Sequence, residues 1–482
     1  MSWNVEQKEE KRVLLCIENP NVKFTEVVRN TALYKLVRDQ NFSTLSYLSN
    51  HIQEIIDTCF PLDYEKFNHN ECFDLDIGSR SFLLFTKAPP SLLEALFQND
   101  AIYTQMSLIF MKIHNESNPP YFLLSRISSI LVFIVSNIPN EVNNCTGFIY
   151  QLLPFVDEPG VFDLFIQICS SDKSFELIQN SLVESKFADH VINEIKKYQN
   201  YLTNSIEKTQ KDTQENNIQN NNQDENDKAT DSINPKFTKE DKCELYISLL
   251  LRIIRLCNTN EILRKSFNSY KITETLYSLI NSSTVILNEL WDAIASISSS
   301  INEGNMIVFL PHAAEIVEEP YNKVFRYQSF SLEFIAKMMK LKSKGLSDLL
   351  LKQVQQVILR LIVQFPDSTN MMGSIFRLIK YGIIWDDCSN QFIENFVPLM
   401  IIEASNKNRN AVQANSKRLL WKFNSKPKYK FIRSKLIEKI DNYSEFCTSI
   451  LDEYNQIMEF PYGGEMQNAI SKSLFSSSFM IF

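Results

Sequence analysis

The chain is 482 residues long, 44% hydrophobic and 22% charged, the profile of a soluble globular protein with room for about three units of roughly 150 residues. Its net charge of -8 disfavours nucleic acid as a partner, because phosphate binding needs a basic footprint. Nine glycines, far below the usual ~7%, leave no G-x-G-x-x-G or G-x-x-x-x-G-K-[ST] phosphate cradle. They also speak against an all-β fold, which uses glycine at its turns.

The opening residues MSWNVEQKEEKR carry no apolar core, so no secretory leader is expected. Ser91-Leu92-Leu93-Glu94 follows Pro89-Pro90 with capping-box spacing, and Leu92, Leu93, Leu96 and Phe97 supply the stripe of an amphipathic helix. A helix apolar on most sides is predicted over 122–135. The run Ile127 to Ile138 is too short to span a bilayer and ends at Pro139. Further helices are expected near 161–169, 173–184 and 186–199. From 207 to 235 the chain is almost purely polar and cannot bury enough surface to offset its ordering entropy, so a disordered insertion is expected there.

Beyond it, 244–257 (ELYISLLLRIIRLC) is apolar nearly all round and reads as a buried helix. Leu249, Ile253 and Leu256 are expected on one core-facing stripe. Helices follow near 272–281, 284–299, 305–317, 322–341, 346–365, 370–381, 390–403, 410–423 and 428–458. This succession of short helices predicts an all-α solenoid of HEAT or armadillo-like repeats. The expected divisions are repeats over 1–206, the polar insertion over 207–238, repeats over 239–425, and a terminal helix with a loose tail over 426–482.

Catalytic chemistry is sparse. There are five histidines, and the nine cysteines are scattered with no C-x-x-C pair. They read as small buried hydrophobes with free thiols. Cys59, His69 and Cys72, with Asp63, Asp74 and Asp76 nearby, lack the second ligand pair that zinc requires, and Gly78 alone does not complete a calcium loop. No catalytic residue, cofactor or metal is expected. The window 404–437 contains no Asp or Glu. It holds Lys407, Arg409, Lys417, Arg418, Lys422, Lys426, Lys428, Lys430, Arg433 and Lys435 around Trp421, Phe423 and Tyr429. That ridge can dock an acidic or phosphorylated partner, or be a solvated helix face.

Several stretches, in order and spacing, resemble the SAPS family of phosphatase-associated regulatory subunits. Phe24-Thr25-Glu26-Val27-Val28 leads to Asn41, Leu45, Tyr47 and Leu48. Phe85-Thr86-Lys87-Ala88-Pro89-Pro90 leads to Leu92, Glu94, Ala95 and Leu96. Asn118-Pro119-Pro120-Tyr121 precedes Ser125-Arg126-Ile127. Phe162 to Ile166, the stretch from Asn180 to Ile195, Ile253-Ile254-Arg255-Leu256 after the polar insertion, and Ile316 to Pro320 continue the likeness over about residues 13–425. Two departures stand out. Arg29-Asn30-Thr31-Ala32 replaces a family acidic run, and Ser181 replaces a family tryptophan. The resemblance implies a non-catalytic subunit, cytoplasmic and also nuclear, that binds a type 2A-like serine/threonine phosphatase catalytic subunit of the protein phosphatase 6 kind. Further scaffold or substrate proteins are expected as partners, with no nucleic acid and no membrane span. Partner-binding residues are expected at Asn41, Leu45, Tyr47, Leu48, Pro90, Asn118, Pro119, Arg255, Lys417, Arg418 and Lys422. The residues taken without the resemblance are equally compatible with an unrelated HEAT or armadillo adaptor.

Overall fold

The computed structural model describes residues 2–64, 72–97, 100–114, 120–219, 238–320, 322–406 and 409–459, and among these every regular element is helical. Two compact units form, Met1–Ile297 and Ser298–Phe482. The principal helices of the first are α1 (Phe42–Asn50), α2 (Ile52–Cys59), α3 (Cys72–Lys87), α4 (Pro90–Phe97), α5 (Ala101–Ile113), α6 (Tyr121–Asn137), α7 (Pro159–Ile168), α8 (Phe187–Gln219), α9 (Lys239–Thr259) and α10 (Thr284–Ile297). Those of the second are α11 (Arg326–Lys340), α12 (Asp348–Gln364), α13 (Thr369–Ile384), α14 (Asp386–Ser405), α15 (Ala411–Ser425) and α16 (Lys430–Lys439).

Within each unit the packing is local. In the first, α2 packs on α3 and α5, α6 on α7, and α9 on both α8 and α10. In the second, α11 packs on α13 and α13 on α15, while α14 packs on α13 and α15. An amide ladder joins α12 to α14, with Asn395 Nδ2 donating to Gln355 Oε1 at 2.6 Å. Each helix thus buries its apolar face on helices close to it along the chain, which is the packing of a helical solenoid. The core is built from large side chains that are fully enclosed, Trp291 and Phe165 in the first unit and Phe334, Phe392 and Phe396 in the second.

Polar residues join the helices at fixed points. Arg126 of α6 donates to the Cys59 carbonyl at 3.0 Å and to Ser79 Oγ at 3.2 Å, tying α2, α3 and α6. Gly78 makes room for it: a Cβ there would lie 2.9 Å from an Arg126 guanidinium nitrogen and from the Thr58 carbonyl. The glycine weighed for a calcium loop therefore serves helix packing inside α3. Arg360 of α12 donates to the carbonyls of Val317 (3.2 Å) and Glu318 (2.8 Å), satisfying orphan acceptors at a helix C-terminus just before Pro320.

Several sequence expectations change. The helix after Pro89 begins at Pro90, so Ser91 lies inside its first turn. The Pro89 carbonyl accepts from the amides of Leu92 and Leu93, and proline at the first position needs no donor. The capping box forms elsewhere: the Thr238 side chain accepts from the Asp241 amide and Asp241 accepts in return at the start of α9. The single helix expected over 428–458 is broken. A 3-10 turn at Pro427–Tyr429 precedes α16, and the chain turns at Asn442, whose φ of 61° is left-handed. Between 207 and 219 the backbone continues α8; the rest of the expected insertion, 220–237, lies outside the described residues. By packing the chain divides at Ile297/Ser298, and α8 and α9 pack together across the polar segment.

The buried stripe of α9 also differs. Ile247, Leu250, Leu251, Ile253, Ile254 and Cys257 are buried, whereas Leu249 and Leu256 are half-buried. Among the eight cysteines whose side chains are described, six are buried and all are free. Burial pushes the Cys145 thiol up to about 12, which keeps it protonated and inert at neutral pH.

Gly382 gives a test of packing. A Cβ there would collide with the ring of Phe392, which is fully buried, whereas a Cβ at Gly147 would meet nothing within 4 Å. Gly382→Ala is expected to lose about 1–3 kcal/mol through overpacking. Gly147→Ala, mid-helix and open, should be neutral or gain up to ~1 kcal/mol. Thermal melts in parallel decide it; equal shifts would refute the close approach of α13 to α14.

Candidate partner-binding surface

The residues picked from the sequence fall into two sets. In the first unit most are structural. Asn41 caps α1, its side chain accepting from the Thr44 amide at 3.0 Å, and Leu48 is fully buried. Leu45 is half-buried, and the Tyr47 ring stacks on His51 at 4.0 Å between centroids. Burial, then Glu54, raises the Tyr47 phenol pKa. Pro90 is exposed at the start of α4. Arg255 Nη1 pairs with Asp292 Oδ2 at 3.1 Å, so its guanidinium is engaged between α9 and α10. Asn118 and Pro119 lie outside the described residues, as do His69 and Lys407. Among the described residues no three potential metal ligands come together.

In the second unit the basic ridge divides. At its far end Lys435 pairs with Asp386 at 3.4 Å, and Lys439, just beyond the window, pairs with Glu394 at 3.2 Å. Lys426 and Lys428 lie over the rings of Trp421 and Tyr429, at 4.8 and 5.2 Å. The aromatic residues of the ridge belong to the packing: Phe423 and Tyr429 are buried, and Trp421 donates to Asn455 Oδ1 at 2.8 Å.

The other part of the ridge faces α13. Arg418 and Lys422 are i, i+4 neighbours on α15, which contains no acidic residue. Opposite them on α13 stand Arg377 and Lys380. These four cations, with Gly373, Phe376, Tyr381, Asn415 and Leu419, line a groove of about 390 Å³. Lys417 is half-buried on the same helix but does not line it. Arg377 is paired with Glu333 of α11 at 2.7 Å. Among the described residues, Lys380, Arg418 and Lys422 form no ion pair. Partial desolvation, then the charges of Arg418, Lys380, Lys428 and Lys426, lowers the Lys422 pKa from the usual lysine range. A basic groove with an apolar floor can bind an anion. Lys422 and Arg418 were legible as candidates; Arg377 and Lys380 were not, since only packing brings α13 against α15.

No protein-family model and no curated protein matches the chain. Among solved structures it is similar to an engineered protein (12% identity, TM-score 0.43, covering 94% of this chain and 98% of that one). It is also similar to importin beta (9%, 0.44, covering 91% and 58%). A third is Raptor from Chaetomium thermophilum (10%, 0.33, covering 91% and 46%). The chain thus spans about half the length of the last two proteins.

No single helix among the described residues is long and apolar enough to cross a membrane. In α6, Leu124, Ile127, Leu131 and Ile134 are fully buried in the protein, whereas Phe122, Val132 and Phe133 are half-buried and Tyr121 is exposed.

Proposed function

We propose that this chain is a non-catalytic scaffold whose helical surface binds proteins, and that one partner is a type 2A-like serine/threonine phosphatase catalytic subunit. The observation that carries the scaffold reading is the local packing of successive helices within each unit, with an open basic groove between α13 and α15 of the second. The phosphatase assignment is carried by the ordered residue resemblance at 24–48, 85–96 and 118–127. In this reading the metals and the hydrolytic step belong to the catalytic subunit, and this chain supplies position and substrate choice. The proposal places it in the cytoplasm, with access to the nucleus.

The test uses purified components. The chain alone should not release phosphate from a phosphopeptide, with or without added divalent metal. It should co-elute with a purified protein phosphatase 6-type catalytic subunit, with a known regulatory subunit as parallel control. If the control binds and the chain does not, the phosphatase partner is refuted and a generic helical adaptor remains.

A further inference from the structure

We propose that the groove between α13 and α15 is a receptor for a phosphorylated serine or threonine on an extended, acidic protein segment. The inference draws on the scaffold reading only in taking the bearer of the phosphate to be a protein.

Charge arithmetic points to the ligand. Arg377 is neutralised by Glu333, which leaves Lys380, Arg418 and Lys422 as three cations facing one space. A phosphate monoester carries about -1.5 to -2 at neutral pH, so one phosphoryl group and one flanking carboxylate would balance them. Holding these like charges together without an anion is unfavourable; the Lys422 pKa is lowered first by partial desolvation and then by the charges of Arg418 beside it and Lys380 across the groove. An anion bound there gains charge-assisted hydrogen bonds from a guanidinium and two ammonium groups.

The floor and length of the groove favour a peptide. Phe376 and Leu419 are buried beneath the cations, and Tyr381 and Asn415 complete the lining. From Gly373 to Tyr381 the wall runs eight residues, about 12 Å at 1.5 Å per residue. That exceeds one phosphate and offers apolar surface beside it for a peptide's carbon chain. A compact polyphosphate would bring more charge than three cations balance and would set phosphates against Phe376 and Leu419. Gly373 contributes no side chain, and the nearest atom a Cβ would meet is Arg377 Nη2 at 4.0 Å. That end of the groove is therefore open.

The experiment uses the full chain and fluorescein-labelled degenerate peptides, acidic on both flanks, with a central phosphoserine or phosphothreonine or its unmodified counterpart. Binding is read by anisotropy. The phosphorylated pool should bind at least tenfold more tightly than the unmodified one and weaken steeply with salt. Arg418→Glu with Lys422→Glu should abolish binding, while Arg433→Glu should not. Gly373→Leu, which fills the groove at unchanged charge, should reduce binding at least tenfold; circular dichroism and melting establish that each variant is folded. Phosphorylation-independent binding, or equal binding by folded Gly373→Leu and charge-reversed variants, overturns the proposal. So does tighter binding of inositol hexakisphosphate that the same variants abolish, since the groove would then be a polyphosphate site. A chain that retains the catalytic subunit but ignores every peptide refutes the groove and leaves the scaffold reading intact. One that binds the phosphopeptides but no catalytic subunit supports the groove and refutes only the phosphatase assignment.

Discussion

Trp291→Ala is expected to lower stability by about 3–5 kcal/mol. Trp291 is fully buried in α10, among the largest enclosed side chains in the chain, and α10 packs along α9. Truncation removes the transfer free energy of the indole and leaves a cavity that the two helices can close only in part. The loss belongs to the unit Met1–Ile297, so far-UV circular dichroism during urea unfolding is the suitable measure; fluorescence would report the removed indole itself. A change below about 0.5 kcal/mol is the range of exposed sites and would refute the packing of α10 on α9.

A pair of substitutions in α9 is the second. Leu250→Ala should cost about 2–5 kcal/mol, because Leu250 has no exposed surface. Leu249→Ala, one residue earlier and half-buried, should cost about 1 kcal/mol, part of the roughly 1.5–3 kcal/mol of a fully buried leucine. Parallel urea titrations with equal slopes decide the order. The stripe read from spacing alone, Leu249, Ile253 and Leu256, requires the larger loss at Leu249; the observed packing requires it at Leu250.

That pair shows where sequence reading stops. In a segment as apolar as 244–257, helix and burial are legible because its few polar residues, Glu244, Ser248, Arg252 and Arg255, interrupt a long run of Leu and Ile only singly. The driest side is marked only thinly, by exposed Arg252, which shares a helix face with Leu249 at i−3 and Leu256 at i+4; the apolar spacing alone passes over that signal. The neighbours settle it: with α8 and α10 packed on α9, Ile247, Leu250, Leu251 and Ile254 are buried while Leu249 and Leu256 stay half-buried. At Asn442 a single left-handed residue redirects the chain; Asp441-Asn442, a pair that favours turns, is the local signal of that break.

The sequence by itself determined the helical class, most helix positions, the burial of most cysteines and the excess of cations between 404 and 437. These are local properties, set by composition, periodicity and the punctuation of proline and polar residues, and they need no knowledge of neighbours. Tertiary structure alone decided which cations meet. Lys435 and Lys439 are drawn to Asp386 and Glu394 of α14 and neutralised. Arg418 and Lys422, a few turns earlier, are set against Lys380 and Arg377 of α13 with only Glu333 to offset them. The physical reason is range: helix propensity acts over a few residues, whereas a charged groove exists only when two helices some forty residues apart bury their apolar faces on each other and bring their polar edges together.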